Sequence, residues 1–135
     1  MSNFDWTLSV YIEDTDLFGV VYHSHYLKFC ERARTEWLAA AGLNFSELIH
    51  FYGIGFIVHK TVFTFHKPAR FKDLLLIKTQ INPIRRCLIE FSHQIYCQKK
   101  LLVEGTVNVV CAELKNFKPI AVPKAVAHAL MEYKN

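Results

Sequence analysis

Residues Glu13–Leu38 read EDTDLFGVVYHSHYLKFCERARTEWL, and the reading of this stretch decides the fold. Its first half is turn-like, with Asp14, Thr15, Asp16 and Gly19 crowded ahead of the pair Tyr22–His23. Its second half is helical. Tyr22, Tyr26, Phe29, Cys30, Ala33, Trp37 and Ala40 recur at a spacing that places them on one face of a helix from about Tyr22 to Ala41. Lys28, Glu31, Arg32, Thr35 and Glu36 fall mostly opposite, and Gly42 stands where glycine commonly ends a helix. An acid just ahead of a helix is, taken alone, a capping or turn residue. The same placement also suits a carboxylate set beside partnerless backbone N–H groups that can polarise a carbonyl.

Upstream, Trp6–Ile12 suits a first strand, with Leu8 and Val10 alternating against Thr7 and Ser9. Downstream, Asn44 followed three residues later by Glu47 predicts the N-cap of a short helix reaching Phe51. Four strand-like runs come next with no helix between them: about Ile54–His66, Leu74–Asn82, Cys87–Gln98 and Leu101–Glu113. The third is the clearest, setting Ile89, Phe91, Ile95 and Cys97 against Glu90, Ser92, Gln94 and Gln98. Only Lys99 and Lys100 remain for the last turn. Pro123 suits the first position of a C-terminal helix with Val126, Leu130 and Tyr133 as its apolar stripe. The order β-α-(short α)-β-β-β-β-α is an α+β arrangement, and its economical packing wraps an antiparallel sheet around one long helix. That is a hotdog fold. Such a sheet has edges, so pairing with a second copy is expected.

The totals agree with one packed domain spanning 1–135, at 52% hydrophobic and 21% charged residues. A net charge of +4 is too mild to imply nucleic acid, though it suits a polyanionic small molecule. Cys30, Cys87, Cys97 and Cys111 lack C-x-x-C spacing and read as buried reduced thiols. MSNFDWTLSV has no signal-peptide pattern and no window approaches a membrane span, so a cytoplasmic location is expected. No G-x-S-x-G, H-E-x-x-H, phosphate-binding loop or dinucleotide fingerprint occurs.

With this element order, Asp14-Thr15-Asp16, Gly19-Val20-Val21-Tyr22-His23, Tyr26 and Glu31-Arg32-Ala33-Arg34-Thr35-Glu36 resemble the start of the hotdog acyl-CoA thioesterases. The similarity points to the Tol-Pal-associated branch, related to 4-hydroxybenzoyl-CoA thioesterase, and FHKPARFKDLL at Phe65–Leu75 resembles a second family segment. The resemblance implies that Asp16 is the catalytic carboxylate. It implies that His23 offers its backbone N–H to the thioester carbonyl, with its side chain also implicated, and that Tyr22 beside it contacts substrate. It further implies Gly55 near the same carbonyl, Arg85–Arg86 on the phosphates of coenzyme A near a subunit boundary, and a homotetramer built from dimers. Leu17, Phe18 and Ile12 depart from common family choices and put the shape of the acyl pocket in question.

The chemistry is coherent without the name. An ionised Asp can attack the carbonyl as a nucleophile or activate water as a general base. Thiolate leaves readily, so neither a metal nor a cofactor is called for. The substrate expected is an acyl-CoA. The alternatives are a hotdog enzyme on acyl-carrier-protein thioesters, including a dehydratase, and a non-catalytic acyl-CoA-binding protein. Lys67, Arg70 and Lys72 are further candidates for phosphate, while the other histidines, including His25, show no ligand spacing.

Overall fold

The computed structural model describes residues 2–133, so Met1, Lys134 and Asn135 of the expected 1–135 domain lie outside the described residues. Strands β1 (Ser2–Ser9), β2 (Ile54–Phe65), β3 (Leu74–Ile81), β4 (Leu88–Cys97) and β5 (Lys100–Glu113) form one antiparallel sheet in the order β1-β3-β4-β5-β2. Helix α1 (His23–Ala40) lies against it, α2 (Phe45–Glu47) runs into a π-helical turn at Leu48–Tyr52, and α3 (Lys124–Glu132) follows the sheet. This is the hotdog arrangement.

The helix face is where periodicity placed it, less its two ends. Tyr26, Phe29, Cys30, Ala33 and Trp37 are buried, whereas Tyr22, the N-cap, and Ala40, the last helical residue, are exposed. Around Phe29, Cys30 and Ala33 the core gathers Val10, Leu75, Ile77, Ile95 and Val103. Around Trp37 it gathers Phe4, Ile54, Phe91, Val109 and Leu130, with Trp37 stacked on Phe4 at 5.8 Å and edge-on to Phe91 at 6.2 Å. Each fully buried large side chain of this kind contributes about 1.5–3 kcal/mol. Ala33 carries only a methyl group, which lets the helix approach the strands closely.

A polar bridge crosses this core. Arg34 donates from Nη1 to His93 Nε2 at 3.0 Å, and His93 Nδ1 bonds Thr79 Oγ1 at 2.9 Å. A guanidinium can only donate, so Nε2 accepts and the ring proton sits on Nδ1. The imidazole is layered between Phe63 and Phe91 at interplanar angles of 15° and 12°. Burial, and then the Arg34 charge, push His93 down to about 3. Burial also lowers Arg34.

Several boundaries differ from expectation. The first strand is Ser2–Ser9 rather than Trp6–Ile12, because Val10 leaves the ladder to bond Asp73 and Ile12–Asp14 form a 3-10 turn. The last hairpin turns on Gln98 and Lys99, both at positive φ (48° and 67°), and Lys100 already belongs to β5. Pro123 is the N-cap of α3 rather than its first residue. Asn44 caps α2, its side chain accepting from the Glu47 N–H at 2.7 Å. All four cysteines are free. Cys30 and Cys111 are buried and Cys87 and Cys97 half-buried, so the sequence reading overstated the burial of the last two.

His93 generates a prediction about pH. Its folded value lies below the unfolded one of about 6.5, so the unfolded chain binds the extra proton between pH 6.5 and about 3. The stability that depends on neutral His93 is therefore complete above pH 6.5 and falls as pH drops towards 3, by roughly 1.4 kcal/mol per pH unit within that window. Thermal melts from pH 7 to 4 should show a steeper loss for the wild type than for His93→Asn; parallel slopes would contradict the assignment.

Candidate active site

The quoted stretch folds into a small ribbon that turns back onto the helix. Thr15 pairs with Val21, the Asp16 N–H bonds the Val20 carbonyl at 2.9 Å, and the Gly19 N–H bonds the Asp16 carbonyl at 3.0 Å. Gly19 takes φ +80°, a conformation that favours glycine, and this allows the tight reversal. Leu17 and Phe18 form its tip, 96% and 84% exposed. Asp16 is partly exposed. Its Oδ1 accepts from the Phe18 N–H at 2.8 Å, and no hydrogen bond to Oδ2 occurs among the described residues.

The ribbon delivers Asp16 to the start of α1. Tyr22, the N-cap residue, supplies no side-chain cap, and the His25 N–H bonds the Tyr22 carbonyl at 2.8 Å. The N–H groups of His23 and Ser24, which open the helix, have no intrahelical partner and carry the positive end of its dipole. The His23 ring lies 4.5 Å from that of Tyr22 and 6.3 Å from that of Phe65. Phe65 in turn sits 5.6 Å from Tyr26. Tyr26 accepts from the buried Ala69 N–H at 3.0 Å, and the Val21 N–H bonds the Ala69 carbonyl, which ties the 66–73 loop to the same corner. Burial chiefly, then the charges of Asp73 and Asp16, raise the Tyr26 hydroxyl above its ordinary value, while the Ala69 N–H works against them. The charge of Asp16 is therefore felt at Tyr26, in the first turn of α1.

Asp16, Tyr22 and His23 come together; Gly55, Arg85 and Arg86 do not join them within one chain. Phe65, beside His23, closes β2, whereas Gly55 lies at its other end, opposite Ala112 and ten residues away, roughly 33 Å of extended strand. Arg85 and Arg86 are exposed in the β3–β4 connection. Cys87, next in the chain, accepts from the N–H of Cys111, itself opposite Phe56. Both arginines therefore share the Gly55 end of the sheet. Lys67, Arg70 and Lys72, all exposed, occupy the Asp16 end. An apolar cleft of about 410 Å³ between α1 and β2 is lined by Glu31, Arg34, Thr35, Gly55, Ile57 and Val58 among others, and Asp16 is not part of it.

One pair escaped the sequence reading. His25, which showed no ligand spacing, bonds the buried Asp14 carboxylate at 2.9 Å. Reading the helix start at His23 would have placed His25 in the first turn, beside the ribbon.

The fold and this corner define a hotdog enzyme of thioester chemistry. The chain belongs to the Thioesterase-like superfamily, whose model matches residues 10–130. It is 40% identical over 124 residues to the acyl-CoA thioester hydrolase YbgC of Escherichia coli, covering 91% of this chain and 92% of that one. It is 35% identical over 133 residues to the acyl-CoA thioesterase YbgC of Haemophilus influenzae, covering 98% of each chain. Among solved structures it is similar to a 1,4-dihydroxy-2-naphthoyl-CoA thioesterase from Synechocystis, at a TM-score of 0.90 and 25% identity over 97% of each chain. No helix of the described residues is long and apolar enough to cross a membrane.

The anchoring of the corner can be tested through Tyr26→Phe, which removes the only side-chain acceptor of the buried Ala69 N–H. Urea unfolding should show a loss of about 1–3 kcal/mol with the denaturant slope unchanged.

Proposed function

We propose that the protein hydrolyses acyl-CoA thioesters to a free acid and coenzyme A. The observation that carries this reading is a part-exposed carboxylate, Asp16, with one oxygen unengaged among the described residues, six positions ahead of a helix N-cap that supplies no side-chain bond. The thioester carbonyl oxygen approaches the N–H of His23, where the helix dipole stabilises developing negative charge. Asp16 then acts in one of two ways. As a base it takes a proton from water, the water oxygen bonds the carbonyl carbon, and the tetrahedral intermediate expels CoA thiolate, which the same proton neutralises. As a nucleophile it bonds the carbon itself, releases thiolate and leaves a mixed anhydride that water hydrolyses. Names of the relatives, both acyl-CoA thioesterases, support the substrate class.

The separation of the candidate residues supports a paired enzyme. β2 is an edge strand of 12 residues that exposes Ile57, Val58, Val62 and Phe65 at 43–52%. An unpaired edge this long and apolar invites a second strand. Antiparallel pairing of β2 with its copy about the strand midpoint sets Gly55 of the partner subunit near Thr64 and Phe65. Each site then combines Asp16 and His23 of one subunit with Gly55, Arg85 and Arg86 of the partner subunit. Within a single subunit, Lys67, Arg70 and Lys72 provide the competing phosphate contact, since they stand at the Asp16 end.

Two measurements test these readings. Asp16→Asn should retain acyl-CoA binding and lose about 10²–10⁴-fold in kcat; hydrolysis at the wild-type rate would dismiss the mechanism. Mixing Asp16→Asn with an Arg85→Ala/Arg86→Ala chain should restore activity, because a hybrid dimer with shared sites rebuilds one intact site. No recovery, together with a strong rise in KM for Lys67→Ala/Arg70→Ala, would favour the single-subunit phosphate contact.

A further inference from the structure

Asp14 is only 5% exposed, yet its oxygens take part in three hydrogen bonds that link the exit of β1, the first turn of α1 and the residue that caps it. Its Oδ2 accepts from the Tyr11 N–H at 2.8 Å, where β1 gives way to the ribbon. Its Oδ1 meets His25 Nδ1 at 2.9 Å, in the first turn of α1. Its backbone carbonyl accepts from the N–H of Tyr22, the residue that caps the helix, at 2.9 Å. Asp16 stands two residues further along the same backbone, and Thr15 between them pairs with Val21. Any slide of the helix start against Asp16 has to break these bonds.

From this geometry we propose that Asp14 and His25 work as one positioning unit, holding the N-terminus of α1 at a fixed offset from Asp16. The inference rests on the reading of Asp16 and the His23 N–H given above. Neither residue touches substrate in this scheme. An ionised carboxylate cannot donate, so the proton of the bond is carried on Nδ1. Glu13 and Arg32, which line the shallow cleft beside Asp14, and the Phe29 ring, edge-on to His25 at 6.4 Å, are the other groups facing the pair. An asparagine at position 25 places an amide N–H close to where Nδ1 stands and cannot titrate. It therefore separates a positioning role from proton transfer.

The test is steady-state hydrolysis of one CoA thioester by the full-length protein and its His25→Ala, His25→Asn, Asp14→Asn and Asp14→Asn/His25→Ala variants. His25→Ala and Asp14→Asn should each lower kcat about tenfold or more, equivalent to about 1.4 kcal/mol, with KM within about twofold. The double variant should lose no more than the worse single one, as expected of residues acting together. His25→Asn should regain most of the lost kcat, with a pH profile of kcat that overlays the wild type. Wild-type kcat in His25→Ala overturns the proposal, as does additive loss in the double variant, or His25→Asn as impaired as His25→Ala. If circular dichroism shows His25→Ala unfolded, His25→Gln takes its place: its amide lies one methylene further out, and kcat equal to that of His25→Asn overturns the proposal. Activity surviving in Asp16→Asn removes the Asp16 reading whatever the pair does, whereas wild-type kcat in His25→Ala removes the pair alone.

Discussion

The apolar stripe of α1, Tyr26, Phe29, Cys30, Ala33 and Trp37, is consumed by the sheet, with Phe29, Cys30, Ala33 and Trp37 completely covered. At about 1.5–3 kcal/mol for each large side chain, no weaker contact can move the helix along the strands. The position of its first residue follows. His23 comes to rest beside Phe65 at the end of β2, while its neighbours Val21 and Tyr26 bond the loop that carries Ala69. The corner proposed as the site is thus a by-product of core packing, and a few hydrogen bonds hold the ribbon of residues 14–21 against it.

The same packing admits one cation. Arg34 enters from the helix and finds a neutral imidazole instead of a carboxylate, with the Phe91 ring 5.8 Å from its guanidinium carbon. Charge in such a place is costly. Neutral His93 limits that cost by offering an acceptor while its other nitrogen is satisfied by Thr79. This bridge joins the middle of α1 to β3 and β4 with a directional contact, which hydrophobic burial alone does not provide. Register between helix and sheet is therefore set by both shape and hydrogen bonding.

Much of this was legible in the sequence because it depends on local spacing. Alternation in Ile89–Gln98 and the helical recurrence from Tyr26 to Trp37 record which face is buried, and those elements appear within a residue or two of expectation. Asp16 and His23 were nominated by motif resemblance, and both lie where the ribbon runs into the start of α1. What could not be read was decided at longer range. Sequence spacing does not say which end of the sheet a residue reaches, so Gly55, expected by resemblance near the same carbonyl as His23, lies at the opposite end of β2 from Phe65 within one chain. The Asp14–His25 bond spans eleven positions and a reversal of direction, which no periodicity encodes. Gln98 and Lys99 adopt positive φ because two well-paired strands force the turn, against the ordinary preference of either residue.

The protein's own sulfur atoms have a consequence for its chemistry. Burial pushes Cys30 up to about 12 and Cys111 up to about 11, the second helped by Cys87, and burial with the nearby Asp73 charge raises Cys97 as well. A sulfur that keeps its proton is a poor nucleophile. In an enzyme that handles activated acyl groups, holding those three thiols protonated disfavours their capture of the acyl group by transthioesterification.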